Sequence, residues 1–228
     1  IVTACMREDR NSRCGVETLV KGQTVVVAGE IKTNAHIDLE AIVHRVAWKL
    51  GYRVSDIVNL LSEQSPEISK AVDGNDDLIG AGDQGVVFGY ANSECESMLP
   101  MAVDIANRIV TLIEHDVDTD PDTILKGDSK TQVTIDLDTG LITDIVVSAC
   151  HKESATIEEV RKYIRHLLHG VAYPDRWHIN PAGVWTVGGP DADCGLTGRK
   201  IVCDQYGGAY SVGGGAFSGK DVSKVDRT

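Results

Sequence analysis

A strand followed by a helix with an acidic front occurs twice in this chain, around 24–51 and again around 132–170. In the first copy TVVVAGEI is β-branched and bounded by glycine, which predicts a strand. Leu39, Ile42, Val43, Val46 and Leu50 then recur at helical spacing behind Asp38 and Glu40, and Gly51 closes the helix. In the second copy Val133, Ile135 and Leu137 alternate towards an Asp138-Thr139-Gly140 turn, which predicts a hairpin over 129–150. Ile157, Val160, Ile164 and Leu168 line one face of the following helix. Few identities link the copies, yet their shared order points to an α+β fold, a sheet packed on helices and built more than once.

The remaining segments fit around that plan. A helix is predicted over about 97–115, with Pro100 near its first turn. VWTV, at 184–187, reads as a short strand. The stretch 61–85 keeps no period and is full of breakers, so it reads as a long loop, a length that is often functional. At 228 residues the chain holds one large domain or two or three small ones.

The net charge of −12 argues against non-specific nucleic-acid binding, so an anionic ligand needs a local cluster of cations. No apolar run approaches the ~20 residues of a membrane helix. Six scattered cysteines form no CxxC pair or zinc spacing, which predicts reduced thiols in a cytoplasmic protein. The chain starts at Ile1, implying cleavage or an upstream segment outside this numbering.

Residues 188–227 supply such a cluster: five cations (Arg199, Lys200, Lys220, Lys224, Arg227) among ten glycines, with Asp193, Asp221 and Asp226 between them. Glycines allow close backbone approach, and consecutive amides in such turns form anion-binding concavities. That is the composition of a polyphosphate cradle, without a Walker A loop; a glycine-rich surface loop with solvated charges has the same composition. Asp83 in GAGDQG would bring a carboxylate to a ligand or form an Asx-turn. Asp128 and Lys130 precede a strand as ligand contacts or as a surface ion pair. Glu30 in VVAGEI is a strand carboxylate, preceded by Glu17 in CGVETLV, and a carboxylate in an apolar strand needs a cation or metal partner unless it faces water. Trp185 either packs in the core or stacks on a nucleobase. His151 reads as a packing or capping residue.

Several of these motifs are long. GAGDQGVVFGYA, GGPDADCGLTGRKIVCDQYGG, GGGAFSGKDVSKVDR, QSPEI and VETLVKG…VAGEI all resemble the S-adenosylmethionine synthetase (methionine adenosyltransferase) family, in the family's own order. The resemblance runs from about Cys14 to Thr228. It implies three similar domains about a pseudo-threefold axis: an N-terminal domain at 1–72, a gating loop at 73–79, a central domain at 80–186 and the truncated start of a C-terminal domain at 187–228. It implies a reaction in which the methionine sulfur attacks ribose C5′ of ATP and expels triphosphate, which is then cleaved to pyrophosphate and phosphate.

Carried over, triphosphate contacts fall on Lys130, Arg199, Lys200, Ala216 and Lys220, with Asp128 in the ATP group, Asp83 lining the site and Trp185 stacking on adenine. Methionine contacts fall on Glu30, Gln64, Asp193 and Lys224. Glu17 is implied as a K⁺ ligand and Asp226 as a Mg²⁺ ligand, with two Mg²⁺ per site. The resemblance further implies a homodimer with shared active sites, paired into tetramers. The family's GHPDK segment does not occur here, Val184 replaces a residue often basic in relatives, and the loop at 73–79 is slightly short. The chain therefore reads as a fragment or the numbered part of a longer polypeptide. A non-catalytic subunit partnering a full-length synthetase is the rival reading.

Overall fold

The structure is a computed structural model and describes residues 1–63 and 84–227. Gln64, Asp83 and the expected gating loop lie outside the described residues. Two compact units emerge, one comprising Ile1–Gly89, Asp193–Gln205 and Ser211–Thr228, the other Tyr90–Ala192 and Tyr206–Tyr210.

In the first unit, helix α1 (Val2–Glu8) precedes an antiparallel hairpin of β1 (Arg13–Lys21) and β2 (Thr24–Lys32). Helix α2 (Leu39–Lys49) then leads to β3 (Asp56–Ser62), which lies parallel to β2. Alternation puts Cys14, Val16, Val25 and Val27 on one side, where they pack with Cys5 and Leu39. Asp38 caps α2 by accepting from the Ala41 N–H at 2.9 Å. The helix itself departs from expectation: of its apolar positions only Leu39 is buried, while Val46 and Leu50 are 51% and 62% exposed. Their periodicity marks a face that the described residues leave largely uncovered. Strand β3 was not foreseen, because DIVNLLS alternates too little to be separated from the loop that follows it.

In the second unit, Pro100 occupies the N-cap of α3 (Met101–Thr119), where its missing N–H costs nothing. Ile105, Ile109 and Ile113, four apart, enter the core. Strands β4 (Leu125–Ile135) and β5 (Ile142–His151) form the expected hairpin. Helix α4 (Ile157–Leu167) starts on a capping box between Thr156 and Glu159 and buries Val160 and Ile164, with Leu168 just beyond its end. Strand β6 (Arg176–Ile179) then lies parallel to β5. The two copies seen in the sequence are thus each a complete ββαβ turn: β1-β2-α2-β3 and β4-β5-α4-β6.

The expected strand at 184–187 does not form. Trp185 instead makes two bonds to His151 at the end of β5: its C=O accepts from the His151 N–H at 2.9 Å, and its N–H donates to His151 Nε2 at 3.2 Å. Since Nε2 accepts, the ring proton sits on Nδ1 and is donated to the Lys152 carbonyl at 3.0 Å. His151 is fully buried, in the packing role expected of it. Two short helices, α5 (Gly189–Ala192) and α6 (Ile201–Asp204), flank β7 (Gly195–Leu196). Among the described residues no helix is long and apolar enough to cross a membrane.

Candidate functional site

Strand β1 is flanked on one edge by β2 and on the other by two pieces of the glycine-rich stretch. Near its C-terminal end, Leu19 and Val20 pair with Leu196 and Gly195 of β7, and the Thr18 N–H donates to Thr197 Oγ1 at 2.8 Å. Near its start, the Val16 N–H donates to the Gly219 C=O at 2.9 Å and the Asp221 N–H to the Cys14 C=O at 3.2 Å. Gly219 adopts φ +81°, and a Cβ there would fall 1.9 Å from the Val16 oxygen, so only glycine allows the approach. The outcome is a row across three chain segments: Glu30 opposite Gly15, and Gly15 opposite Lys220.

Glu30 and Glu17 lie on the sheet face turned away from the core and both are exposed, so neither carries a burial cost. The same face holds a continuous apolar row, Leu196, Leu19, Val26 and Val58, and beside it Ala28 and Leu60. Leu60 is 59% exposed, Val58 41% and Leu196 42%, so the sheet presents an uncovered apolar surface next to its carboxylates.

Two cations of the stretch are held by carboxylates within it. Lys220 Nζ lies 2.8 Å from Asp226, in a partly buried pair. Lys224 Nζ donates to Asp221 at 2.7 Å, and Asp221 also accepts from the Cys14 N–H at 2.7 Å and the Ser223 N–H at 2.9 Å. Burial pushes the Asp221 carboxyl up, but the bonds from Lys224, Ser223 and Cys14 outweigh it and hold it at about 2. Gly215 gives Asp226 its room: a Cβ there would lie 1.9 Å from the carboxyl carbon. Arg199 and Lys200 are exposed on the turn after β7, as is Asp193 before it. Ala216 is buried, and Gly198 lies so close that an added Cβ would meet that of Ala216 at 2.9 Å. Gly198, beside Arg199 in the chain, and Ala216, far apart in the motif, are therefore brought together. Asp221 was missed as a site-forming residue; a single Asp after a lysine carries no sign of its burial.

In the second unit Asp128, Lys130 and Trp185 converge. Lys130 Nζ stands 5.7 Å from the centroid of the Trp185 ring, within cation–π range. Trp185 is half-buried, and its Nε1–H donates to the Val187 carbonyl at 2.7 Å. Asp128 accepts from the Gly189 N–H at 2.7 Å, and Lys126 donates to the Thr186 carbonyl. These two bonds tie β4 to the segment that carries Trp185.

Among the described residues no three His, Cys, Asp or Glu side chains converge as a metal cluster. All six cysteines are free, and burial, with Cys5 and Asp221 adding to it, pushes the Cys14 thiol up to about 12.

Residues 1–75, 78–185 and 187–228 match, respectively, the N-terminal, central and C-terminal domain models of S-adenosylmethionine synthetase. The chain is 40% identical over 240 residues to an S-adenosylmethionine synthase of Mycoplasmopsis pulmonis (strain UAB CTIP), with all of this chain and 64% of that protein's length covered. A solved structure of an unusual S-adenosylmethionine synthetase from Campylobacter jejuni superposes with a TM-score of 0.86 at 33% identity, over 99% of this chain and 64% of the other. The chain thus spans just under two thirds of the length of these relatives. With consecutive matches to all three domain models, carried on one α+β scaffold, the chain belongs to the S-adenosylmethionine synthetase family.

Proposed function

We propose that the protein forms S-adenosylmethionine from ATP and L-methionine and then cleaves the expelled triphosphate to pyrophosphate and phosphate. The observation that carries this reading is the docking of the glycine-rich stretch on β1, which puts Lys220 in one row with Glu30 and gathers cations and carboxylates at one sheet edge.

The chemistry asks for what these residues supply. A thioether sulfur has no proton to lose, so its attack on C5′ needs positioning rather than a general base. The leaving group is a polyanion, and charge grows on it as the C–O bond breaks; Lys220, Arg199, Lys200 and Lys130 are the cations assigned to it. Glu30 accepts hydrogen bonds from the methionine ammonium, aided by Asp193, and Lys224 donates to its carboxylate. Trp185 offers an aromatic face to adenine, with Asp128 and the Ala216 backbone completing the ATP contacts. Gln64 and Asp83 join this reading from outside the described residues.

Mg²⁺ is commonly held by only one or two carboxylates together with substrate phosphates, and the partly exposed, acceptor-only Asp226 fits that requirement. When bound there, the ion would neutralise charge on the triphosphate. Glu17, exposed on the sheet face, is the carboxylate available to K⁺. The apolar row beside Glu17 and Glu30 supports a homodimer joined through these sheet faces, with active sites shared between subunits and a further pairing of dimers. Free cysteines fit a reducing cytoplasm.

The test is direct. Purified protein with ATP, methionine, Mg²⁺ and K⁺ should yield S-adenosylmethionine by chromatography, with one phosphate and one pyrophosphate released per product. A folded protein that binds ATP and methionine yet makes no product would overturn this reading in favour of a non-catalytic subunit.

A further inference from the structure

Asp221 is the only buried acidic side chain among the described residues, at 1% exposed. A buried carboxylate is costly unless its lone pairs are filled, and here three donors fill them. One oxygen accepts from the Cys14 N–H and from Lys224 Nζ, both at 2.7 Å; the other accepts from the Ser223 N–H at 2.9 Å. Its own backbone N–H donates to the Cys14 carbonyl, and its carbonyl accepts from the Lys224 N–H. Asp221 therefore joins strand β1 to the segment that carries both Lys220 and Lys224.

This arrangement does two things at once. The bonds to Cys14 hold the register in which Lys220 lies opposite Gly15. The bond to Lys224 fixes an ammonium that would otherwise sweep a wide volume at the end of four rotatable bonds. A hydrophobic residue could anchor the segment but could not orient the ammonium. A backbone amide acceptor could orient it but would leave it without a counter-charge.

Resting on the proposed function, we infer that Asp221 is a positioning residue: through its ion pair with Lys224 it sets the ammonium that receives the carboxylate of the amino-acid substrate. It does not touch substrate itself. Loss of its charge alone, with the acceptor for Cys14 kept, should therefore weaken methionine recognition selectively and leave the nucleotide side little changed.

The test compares Asp221→Asn and Asp221→Glu with the parent protein. Asn keeps the size and the acceptor for Cys14 but removes the charge facing Lys224; Glu restores the charge at a displaced position. The KM for methionine should rise about tenfold or more in Asp221→Asn while the KM for ATP stays within about twofold, and Asp221→Glu should recover part of the loss. An equal change in both constants, or none, would overturn the inference.

A second measurement needs no activity. With lysine labelled at Cε and Nζ, the Lys224 signal, assigned by Lys224→Arg, should be shifted and sharp in the parent and collapse to the free-lysine position in Asp221→Asn. If it stays in place, Asp221 does not position Lys224, whatever the enzyme does. If it collapses but the parent makes no product and binds no methionine, the proposed function has failed while the positioning stands.

Discussion

Glu30 and Lys220 stand on either side of Gly15 in one row across β1, two strand spacings apart, or about 10 Å between Cα atoms. Gly15 has no side chain, so nothing projects between them. Within one chain the pair is close enough to serve a single small substrate. In a dimer joined through its sheet faces, the same row would instead offer Glu30 to one site and Lys220 to the other.

Mixing inactive variants separates these arrangements. Lys220→Met and Glu30→Ala should each abolish product formation, the first by about a hundredfold or more in rate. After random subunit exchange, shared sites should restore roughly a quarter of wild-type activity, because half of the dimers are mixed and each has one intact site. Exchange verified by mass with no recovery would assign both residues to one chain's site.

The apolar row gives a prediction about assembly. Leu60→Asp puts a charge on the exposed face one row from Glu30. It should leave each ββαβ unit folded, because Leu60 is not part of the core, but shift sedimentation from dimer to monomer and remove activity. A dimer unchanged in mass would place the interface elsewhere.

For Trp185, ring and indole N–H separate cleanly. Trp185→Phe loses the bond to the Val187 carbonyl, about 1 kcal/mol, but keeps an aromatic face near Lys130. ATP affinity should therefore change little. Trp185→Ala removes the face and should weaken ATP by roughly 1–3 kcal/mol in calorimetry. Equal affinity in the Ala variant would remove Trp185 from the site.

Gly215→Ala should act through Asp226. The added methyl would overlap the Asp226 carboxylate and drive it from Lys220. Mg²⁺-dependent product formation should fall steeply, while Gly214→Ala, which meets nothing within 4 Å, should be mild.

Acid stability should report Asp221. Its carboxyl lies at about 2 in the folded protein against an ordinary 3.8. A depressed folded pKa gives stability that is fully present above the unfolded value and is lost as pH falls through the folded one. The window is therefore about pH 4 to 2, and the loss about 2 kcal/mol. Denaturant melts of Asp221→Asn should lack that part of the acid limb.

Periodicity revealed the three longer helices, strand β2 and the β4–β5 hairpin, because Ile105, Ile109, Ile113 and the Val133–Leu137 alternation are local signals. It failed at β3 and β6, short parallel strands whose pairing is decided by β2 and β5 rather than by their own residues. VWTV misled because β-branched residues also suit an extended segment held outside a ladder, here tied to His151 and Lys126. Motif resemblance named Lys220, Lys224 and Asp226, but the partners that hold them were not legible. Asp221 looks like any acidic surface residue until it is seen to meet Cys14, 207 positions earlier.

That separation has a consequence for how the chain is made. Strand β1 is made long before the segments that close its second edge: Thr18 waits for Thr197, 179 positions later, and Cys14 for Asp221, 207 positions later. At about 5–20 residues per second, the edge stays open for roughly 10–40 s of synthesis. Throughout that interval β1, paired with β2 and soon backed by β3 beyond it, keeps free amides along its other side, the state in which neighbouring nascent chains pair with each other. The late glycine-rich segment is therefore also a cover for the nascent sheet, and yield should depend on translation speed and on chaperone supply as much as on the stability of the finished protein.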